Sequence, residues 1–262
     1  MNYKLSDSTD MIIKLVSFPC WRWLSPKQRE KRINAVTDIL NKEDTDFVLF
    51  SEWIFNREED LIKVSQSVCN KKTTALFELK PRKDSSDSNI LFLLQNGNII
   101  KLNTEQIFIK SKEVTERKVE LLIDELEQHR TFQVDGKRFL IILCGENNIL
   151  KTVKGEKDAV FRIPNKNLRM RFESILSNVD VILNPTHSRW KRFHDLTCRL
   201  SKFSEKNRYC FYCTQLDGNM LKNANKNTDK NTAQRAMKSR RILKPIDPDT
   251  SNQNYLLRAY KI

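Results

Sequence analysis

Three residues of this 262-residue chain pair a reactive side chain with a position where reactivity is useful: Cys144, Glu52 and Lys110. Cys144 ends the run Phe139-Leu140-Ile141-Ile142-Leu143, which is too short for an ordinary helix and reads as a buried strand. Its nearly unbroken apolar character suits a central strand covered on both faces. A thiol at the end of such a strand lies where α/β proteins commonly place their sites. Gly145 would let the backbone turn there and present an N–H beside the sulfur. Glu52 closes a second run, Asp46-Phe47-Val48-Leu49-Phe50-Ser51, and Lys110 a third, Gln106-Ile107-Phe108-Ile109. A thiol is a nucleophile, a carboxylate a general base, and an ammonium stabilises developing negative charge. Each residue also has an ordinary reading. Free cysteine is among the most buried residue types, Glu52 can be a plain strand-end acid, and Lys101 and Lys112 lie close to Lys110.

These groups must be positioned by the elements around them. Met11–Phe18 reads as a first strand, and Ser25-Pro26 opens a helix with Ile33, Val36 and Leu40 at helical spacing. After the strand ending at Glu52, a short helix around Leu61, Val64 and Val68 leads to a strand over Thr73–Leu79. Residues 89–95 form a strand, and Asn96-Gly97-Asn98 is a hairpin signal. The segment 113–130 makes a helix with Val119, Leu122, Ile123 and Leu126 on one face. Beyond Cys144 come a strand at Ala159–Ile163, a helix carrying Leu168, Phe172, Ile175 and Leu176, and the strand Val179–Pro185. The next helix carries Trp190, Phe193, Leu196, Leu200 and Phe203 on one side, a stripe that reads as core packing. Tyr209–Gln215 is a strand, 219–239 a polar mobile loop, and Tyr255–Ile262 a closing strand. Alternation of strands and helices argues α/β, in one domain over 1–262.

Taken in order, these motifs resemble the nitrilase (carbon–nitrogen hydrolase) superfamily. The resemblance rests on Leu49-Phe50-Ser51-Glu52-Trp53, Ile107-Phe108-Ile109-Lys110 and Leu143-Cys144-Gly145-Glu146. Asp180-Val181-Ile182-Leu183-Asn184-Pro185 and Ser204–Tyr209 leading into Leu216-Asp217-Gly218 extend it, from about Ile12 to Gly218. It implies an αββα sandwich, a Glu–Lys–Cys site at the strand ends and pairing into dimers. Cys144 would be nucleophile, Glu52 base and acid, and Lys110 with the Gly145 N–H the oxyanion partner. Trp53, Glu113, Glu116, Glu146, Thr186 and His187 are candidate pocket residues, with Glu113 or Glu116 standing for the second glutamate that members carry after the lysine. The chain departs from the pattern in three places. Gly145 replaces a bulkier residue, about 147–164 resembles an insertion, and the late Gly-x-Ser segment gives way to a basic loop at about 219–245.

Charge and cysteines narrow the classes. The net charge is +14, and between Thr186 and Pro245 there are 15 Lys or Arg against Asp195, Glu205, Asp217 and Asp229. That region would attract nucleic acid or an acidic partner, or serve as a solvated basic face. The six cysteines, without a secretory signal, favour reduced thiols. Cys210-Phe211-Tyr212-Cys213 lacks a second pair for zinc and reads as structural, and His129, His187 and His194 offer no metal spacing. No cofactor and no metal are implied. No run of 18 apolar residues spans a membrane, so a soluble cytoplasmic protein is expected. The sequence points to a thiol-dependent hydrolase acting on a small amide-type substrate. The alternative is a catalytically degenerate member of the same fold that binds nucleic acid or an acidic partner through residues 186–245.

Overall fold

The computed structural model describes residues 10–19, 24–42, 44–79, 90–153, 158–186, 193–216, 232–246, 250–251 and 255–262. Two sheets carry the fold. The first contains β1 (Ile12–Ser17), β2 (Phe47–Phe50), β3 (Thr74–Leu79), β4 (Ile90–Gln95), β5 (Asn98–Leu102), β14 (Thr250–Ser251) and β15 (Leu256–Lys261), in the order β14-β15-β1-β2-β3-β4-β5. The second contains β6 (Thr131–Val134), β7 (Lys137–Ile141), β10 (Val181–Thr186), β11 (Tyr209–Thr214), β12 (Gln234–Lys238) and β13 (Arg241–Ile242), in the order β13-β12-β11-β10-β7-β6. A separate hairpin pairs β8 (Leu150–Thr152) with β9 (Ala159–Phe161).

The alternation of side chains along each strand creates three apolar layers. Ile13, Leu15, Phe47 and Leu49 of the first sheet meet Phe139, Ile141, Leu183, Phe211 and Cys213 of the second, so the sheets pack face to face. The alternate residues Val16, Val48, Phe50 and Phe77 face away, against α1 (Pro26–Leu40) and α2 (Glu58–Ser67). On the far side, Leu140, Ile142, Ile182, Cys210 and Tyr212 pack against α3 (Glu116–Gln128), α4 (Lys166–Ser177) and α5 (Phe193–Phe203). The result is the αββα sandwich. The central strands of both sheets are buried on both faces, which accounts for their reading as continuous apolar runs.

Local chemistry sets the boundaries. Ser25 caps α1 through a reciprocal box with Gln28, in which the Ser25 N–H reaches Gln28 Oε1 at 2.8 Å. Asn96 and Gly97 both adopt positive φ, 54° and 77°, and close the β4–β5 hairpin. Asp135 and Gly136 do the same for β6–β7, with φ of 47° and 77°. Strand β6 is absent from the sequence reading although this dipeptide marks it. The apolar run from Phe139 onward dominates that stretch.

Two further expectations are corrected. Residues 106–110 form no strand. The Ile107 N–H is taken by the Glu146 carboxylate at 2.9 Å and the Ile109 N–H by the Glu113 carboxylate at 3.0 Å, so neither joins a ladder. A 3-10 turn, Ser111–Glu113, follows. Within the expected loop 219–239, Gln234–Lys238 is strand β12, antiparallel to β11, because Ala236 and Met237 find buried places on opposite faces. Residues 217–231 lie outside the described residues, as does Trp190 of the expected helix stripe. Among the described residues no helix is long and apolar enough to cross a membrane.

Phe139 lies at the middle of the inter-sheet layer, its ring 4.9 Å from that of Phe47 and 5.4 Å from that of Phe132. Phe139→Ala is expected to destabilise the protein by about 3–5 kcal/mol, read by chemical denaturation.

Candidate active site

Strands β7, β10 and β11 run parallel in the second sheet, as β1 and β2 do in the first, and hydrogen bonds of Glu52 to Thr186, Gln215 and Cys144 bring their carboxyl ends together. Glu52 lies two residues beyond β2, and its surroundings come from both sheets. Its backbone N–H reaches the Thr186 carbonyl at 3.3 Å, and its own carbonyl accepts from Gln215 Nε2 at 2.7 Å. Trp53 then takes φ +57°, a left-handed conformation that costs a residue of this size about 1–3 kcal/mol. The turn it makes returns Ile54 to the Glu78 carbonyl at 3.1 Å. Glu52 is 1% exposed, and its Oε1 accepts the backbone N–H of Cys144 at 3.2 Å. The acid and the thiol-bearing residue, 92 positions apart in the chain, are thereby joined.

Cys144 begins a 3-10 turn, Cys144–Ile149, that continues directly from the β7 segment. Ile142 still donates to the Leu183 carbonyl at 2.9 Å, so the chain stays in the sheet until just before the cysteine. Two buried arginines hold the turn. The Glu146 carboxylate accepts the N–H groups of Leu143 at 3.0 Å and Ile107 at 2.9 Å, and it pairs with the guanidinium of Arg130. Both side chains of this pair are fully buried. Arg130 also donates from Nε to Thr104 Oγ1 at 2.6 Å and from its remaining nitrogen to the Glu105 carbonyl. On the other side, Arg199 Nη1 donates to the Asn147 carbonyl at 3.1 Å and to Asn148 Oδ1 at 3.0 Å. Burial, with a smaller contribution from the charge of Arg162, pushes the Arg199 guanidinium down to about 10. An amide chain completes the support. Asn147 Nδ2 donates to Asn184 Oδ1 at 2.7 Å, and Asn184 Nδ2 to the Ile142 carbonyl at 2.6 Å.

Gly145 explains itself sterically. A Cβ there would lie 2.3 Å from Gln106 Nε2, 2.5 Å from Ile109 Cα and 2.6 Å from the Phe108 carbonyl oxygen. The segment 106–109 thus lies directly against the residue after the cysteine, leaving no room for the bulkier residue of the family pattern. Lys110 follows that segment, but its side chain is exposed, just before the Ser111–Glu113 turn. The structure therefore brings Glu52 to Cys144 and the backbone of 106–109 to Gly145, while Lys110 is an exposed residue. Glu113 is half-buried, and the Ile109 N–H, more than any other group, holds its carboxyl below the usual range. Glu116 is exposed in the first turn of α3. Thr186 is buried beside Glu52, Trp53 is half-buried, and His187 lies outside the described residues.

Arg130, Arg199, Asn147, Asn184 and Gln215 are the supports that reading the sequence missed. Arg199 left a signal, since it occupies the apolar stripe of α5 between Leu196 and Phe203, where a charge needs a buried partner. Arg130 left none.

Cys210 and Cys213 point to opposite faces of β11, one in the helix layer and one between the sheets. Burial pushes both thiols up to about 12. Among the described residues no group of three His, Cys, Asp or Glu side chains could hold a metal ion. Many basic residues of the region after Thr186 are engaged internally. Arg240 pairs with Glu205 and Asp158, and Lys202 with Glu205. Arg235 lies 4.1 Å over the Phe193 ring, Lys238 4.5 Å over Tyr209, and Arg208 donates to the Phe203 carbonyl.

Two sheets packed face to face, each covered by helices on its outer side, are the fold of the carbon–nitrogen hydrolase, or nitrilase, superfamily, and the chain has that fold. A CN-hydrolase superfamily protein of Xanthomonas campestris, with an arsenic adduct in its active site, superposes with a TM-score of 0.57. It is 12% identical, over 97% of this chain and 90% of its own. The amidase of Nesterenkonia sp. AN1, as a double mutant in complex with acrylamide, gives a TM-score of 0.57 at 9% identity over 100% and 93% of the two chains. Another variant of that amidase, at 9% identity over 96% and 90% with a TM-score of 0.56, shows covalent addition of the acetamide moiety of fluoroacetamide at the active-site cysteine. No protein-family model and no curated protein matches the sequence.

Gly145→Ala is expected to displace segment 106–109 and to lower stability by about 1–3 kcal/mol, the usual cost of overpacking, as read by thermal melting.

Proposed function

We propose that this protein is a thiol-dependent hydrolase that cleaves the C–N bond of a small amide-type substrate through a thioester on Cys144. The observation that carries this reading is the hydrogen bond from the Cys144 N–H to Glu52 Oε1, which puts a buried carboxylate against the residue that bears the thiol. The covalent chemistry seen at the cysteine of the Nesterenkonia amidase, on the same fold, supports it.

The steps follow from the groups present. Glu52 takes the thiol proton, and the sulfur attacks the amide carbon to form a C–S bond. Negative charge develops on the former carbonyl oxygen, where the Gly145 N–H and the Lys110 ammonium would stabilise it. Protonated Glu52 gives its proton to the departing nitrogen as the C–N bond breaks and the amine leaves. Glu52 then removes a proton from water, whose oxygen attacks the thioester carbon. The C–S bond breaks, giving the carboxylic acid and returning the thiol. An amine in place of that water would make the reaction an acyl transfer. Buried Cys210 and Cys213, with thiols held up to about 12, are poor nucleophiles at neutral pH and stay outside this chemistry.

Cys144→Ala is expected to abolish turnover across a panel of amides and to remove the acyl-enzyme mass adduct. Glu52→Gln is expected to lower kcat by at least ~10²-fold and to suppress iodoacetamide labelling of Cys144 near neutral pH. Lys110→Ala is expected to lower kcat by about 10²-fold. Turnover that survives in Cys144→Ala sinks the proposal. If that same variant also binds polynucleotide with steep salt dependence, the basic region becomes the functional surface instead.

A further inference from the structure

Within the Cys144–Ile149 turn, the charge that the hydrolytic reading does not use is Glu146. It lies two residues from the thiol, fully buried, with its carboxylate on the N–H of the residue before the cysteine. A bare carboxylate there would oppose formation of a thiolate. The charged groups around the turn, among the described residues, include Glu52 beyond β2, Arg199 from α5 with Arg162 and Asp195 acting on it, Lys110 and Glu113 at the end of segment 106–110, and the Glu146–Arg130 pair. Arg199 donates to the Asn147 carbonyl and to Asn148 Oδ1 of the turn. Among the described residues, Arg130 makes the ion pair with Glu146.

Resting on the hydrolase reading, we propose that Arg130 is a positioning residue: it cancels the charge of Glu146 beside the nucleophile and fixes the carboxylate that holds the turn. The geometry has two parts. Through Glu146, Arg130 orders the N–H groups of Leu143 and Ile107, and so both the backbone entering Cys144 and the segment packed on Gly145. Through Thr104 and the Glu105 carbonyl, Arg130 anchors that same segment from its other end. One guanidinium therefore ties the nucleophile turn to the stretch that precedes Lys110.

The test is the pH dependence of iodoacetamide alkylation at Cys144, followed by peptide mass spectrometry. Cys69, exposed just beyond α2, serves as the reference thiol in every variant. Arg130→Met leaves Glu146 uncompensated, and the alkylation midpoint is expected to rise by about one pH unit or more. Adding Glu146→Gln to that variant removes the charge while its side-chain oxygen still accepts the Leu143 N–H, so the midpoint is expected to return toward the wild-type value. A purely structural role would not produce that reversal. An unchanged midpoint in folded Arg130→Met, or a double variant as displaced as the single one, overturns the inference. Should Arg130→Met fail to fold, Glu146→Gln alone decides the matter. Arg130 then faces the turn as a bare cation and the midpoint is expected to fall, and no fall overturns the inference. A wild-type Cys144 whose labelling ignores Glu52→Gln removes the hydrolase reading, and this inference falls with it. A Glu52-dependent wild type with indifferent Arg130 and Glu146 variants removes this inference alone.

Discussion

A carboxylate at 1% exposure must find donors inside the protein, and Glu52 finds its own across the boundary between two sheets. Its acid reaches the Cys144 N–H beyond β7, and its backbone meets Thr186 of β10 and Gln215 beyond β11. The rest of the architecture serves this meeting. Face-to-face packing through Phe47, Phe139, Leu49 and Ile141 sets how the two strand bundles lie, and parallel pairing brings the relevant ends to one edge. A slip of one residue in β7 would exchange the inter-sheet residues Phe139 and Ile141 for the helix-side residues Leu140 and Ile142. It would also carry Cys144 away from Glu52.

The cysteine turn is supported by polar groups in place of apolar packing. Arg130 and Glu146 are an ion pair at zero exposure, and such pairs contribute little net stability because desolvation offsets their attraction. Losing one partner, however, costs about 3–5 kcal/mol, so the pair enforces one arrangement of the chain over its alternatives. Each Glu146 oxygen accepts a backbone N–H that would otherwise be buried without a partner. Arg199 and the Asn147–Asn184 amides close the remaining sides. The same demand explains why residues 106–110 abandon the strand their composition suggests. Their N–H groups are claimed by the side chains of Glu146 and Glu113.

The basic C-terminal region reads differently once folded. In sequence it is a surplus of cations with an electrostatic reach. In the described residues, Arg240, Lys202, Arg235, Lys238 and Arg208 are committed to carboxylates, rings and carbonyls of the same molecule. A count of charges along a chain cannot separate a structural cation from one offered to a partner.

What the sequence determined by itself is what short-range periodicity and turn chemistry encode. The apolar runs at Phe47–Phe50, Phe139–Ile141 and Val181–Leu183 announced strands, the second of them as doubly covered, and the Ser25 cap and the Asn96-Gly97 turn announced their own positions. Cys144 and Glu52 were legible as groups at strand ends, because a strand end is a local property. The tertiary structure alone decided which ends meet, that Lys110 opens to solvent, that Gly145 is required by a segment 36 or more positions earlier in the chain, and that Arg130 underpins the turn. The reason is physical. Hydrophobic patterning repeats within a few residues and can be read along the chain, whereas a buried charge is satisfied by partners tens of residues away that no local pattern names.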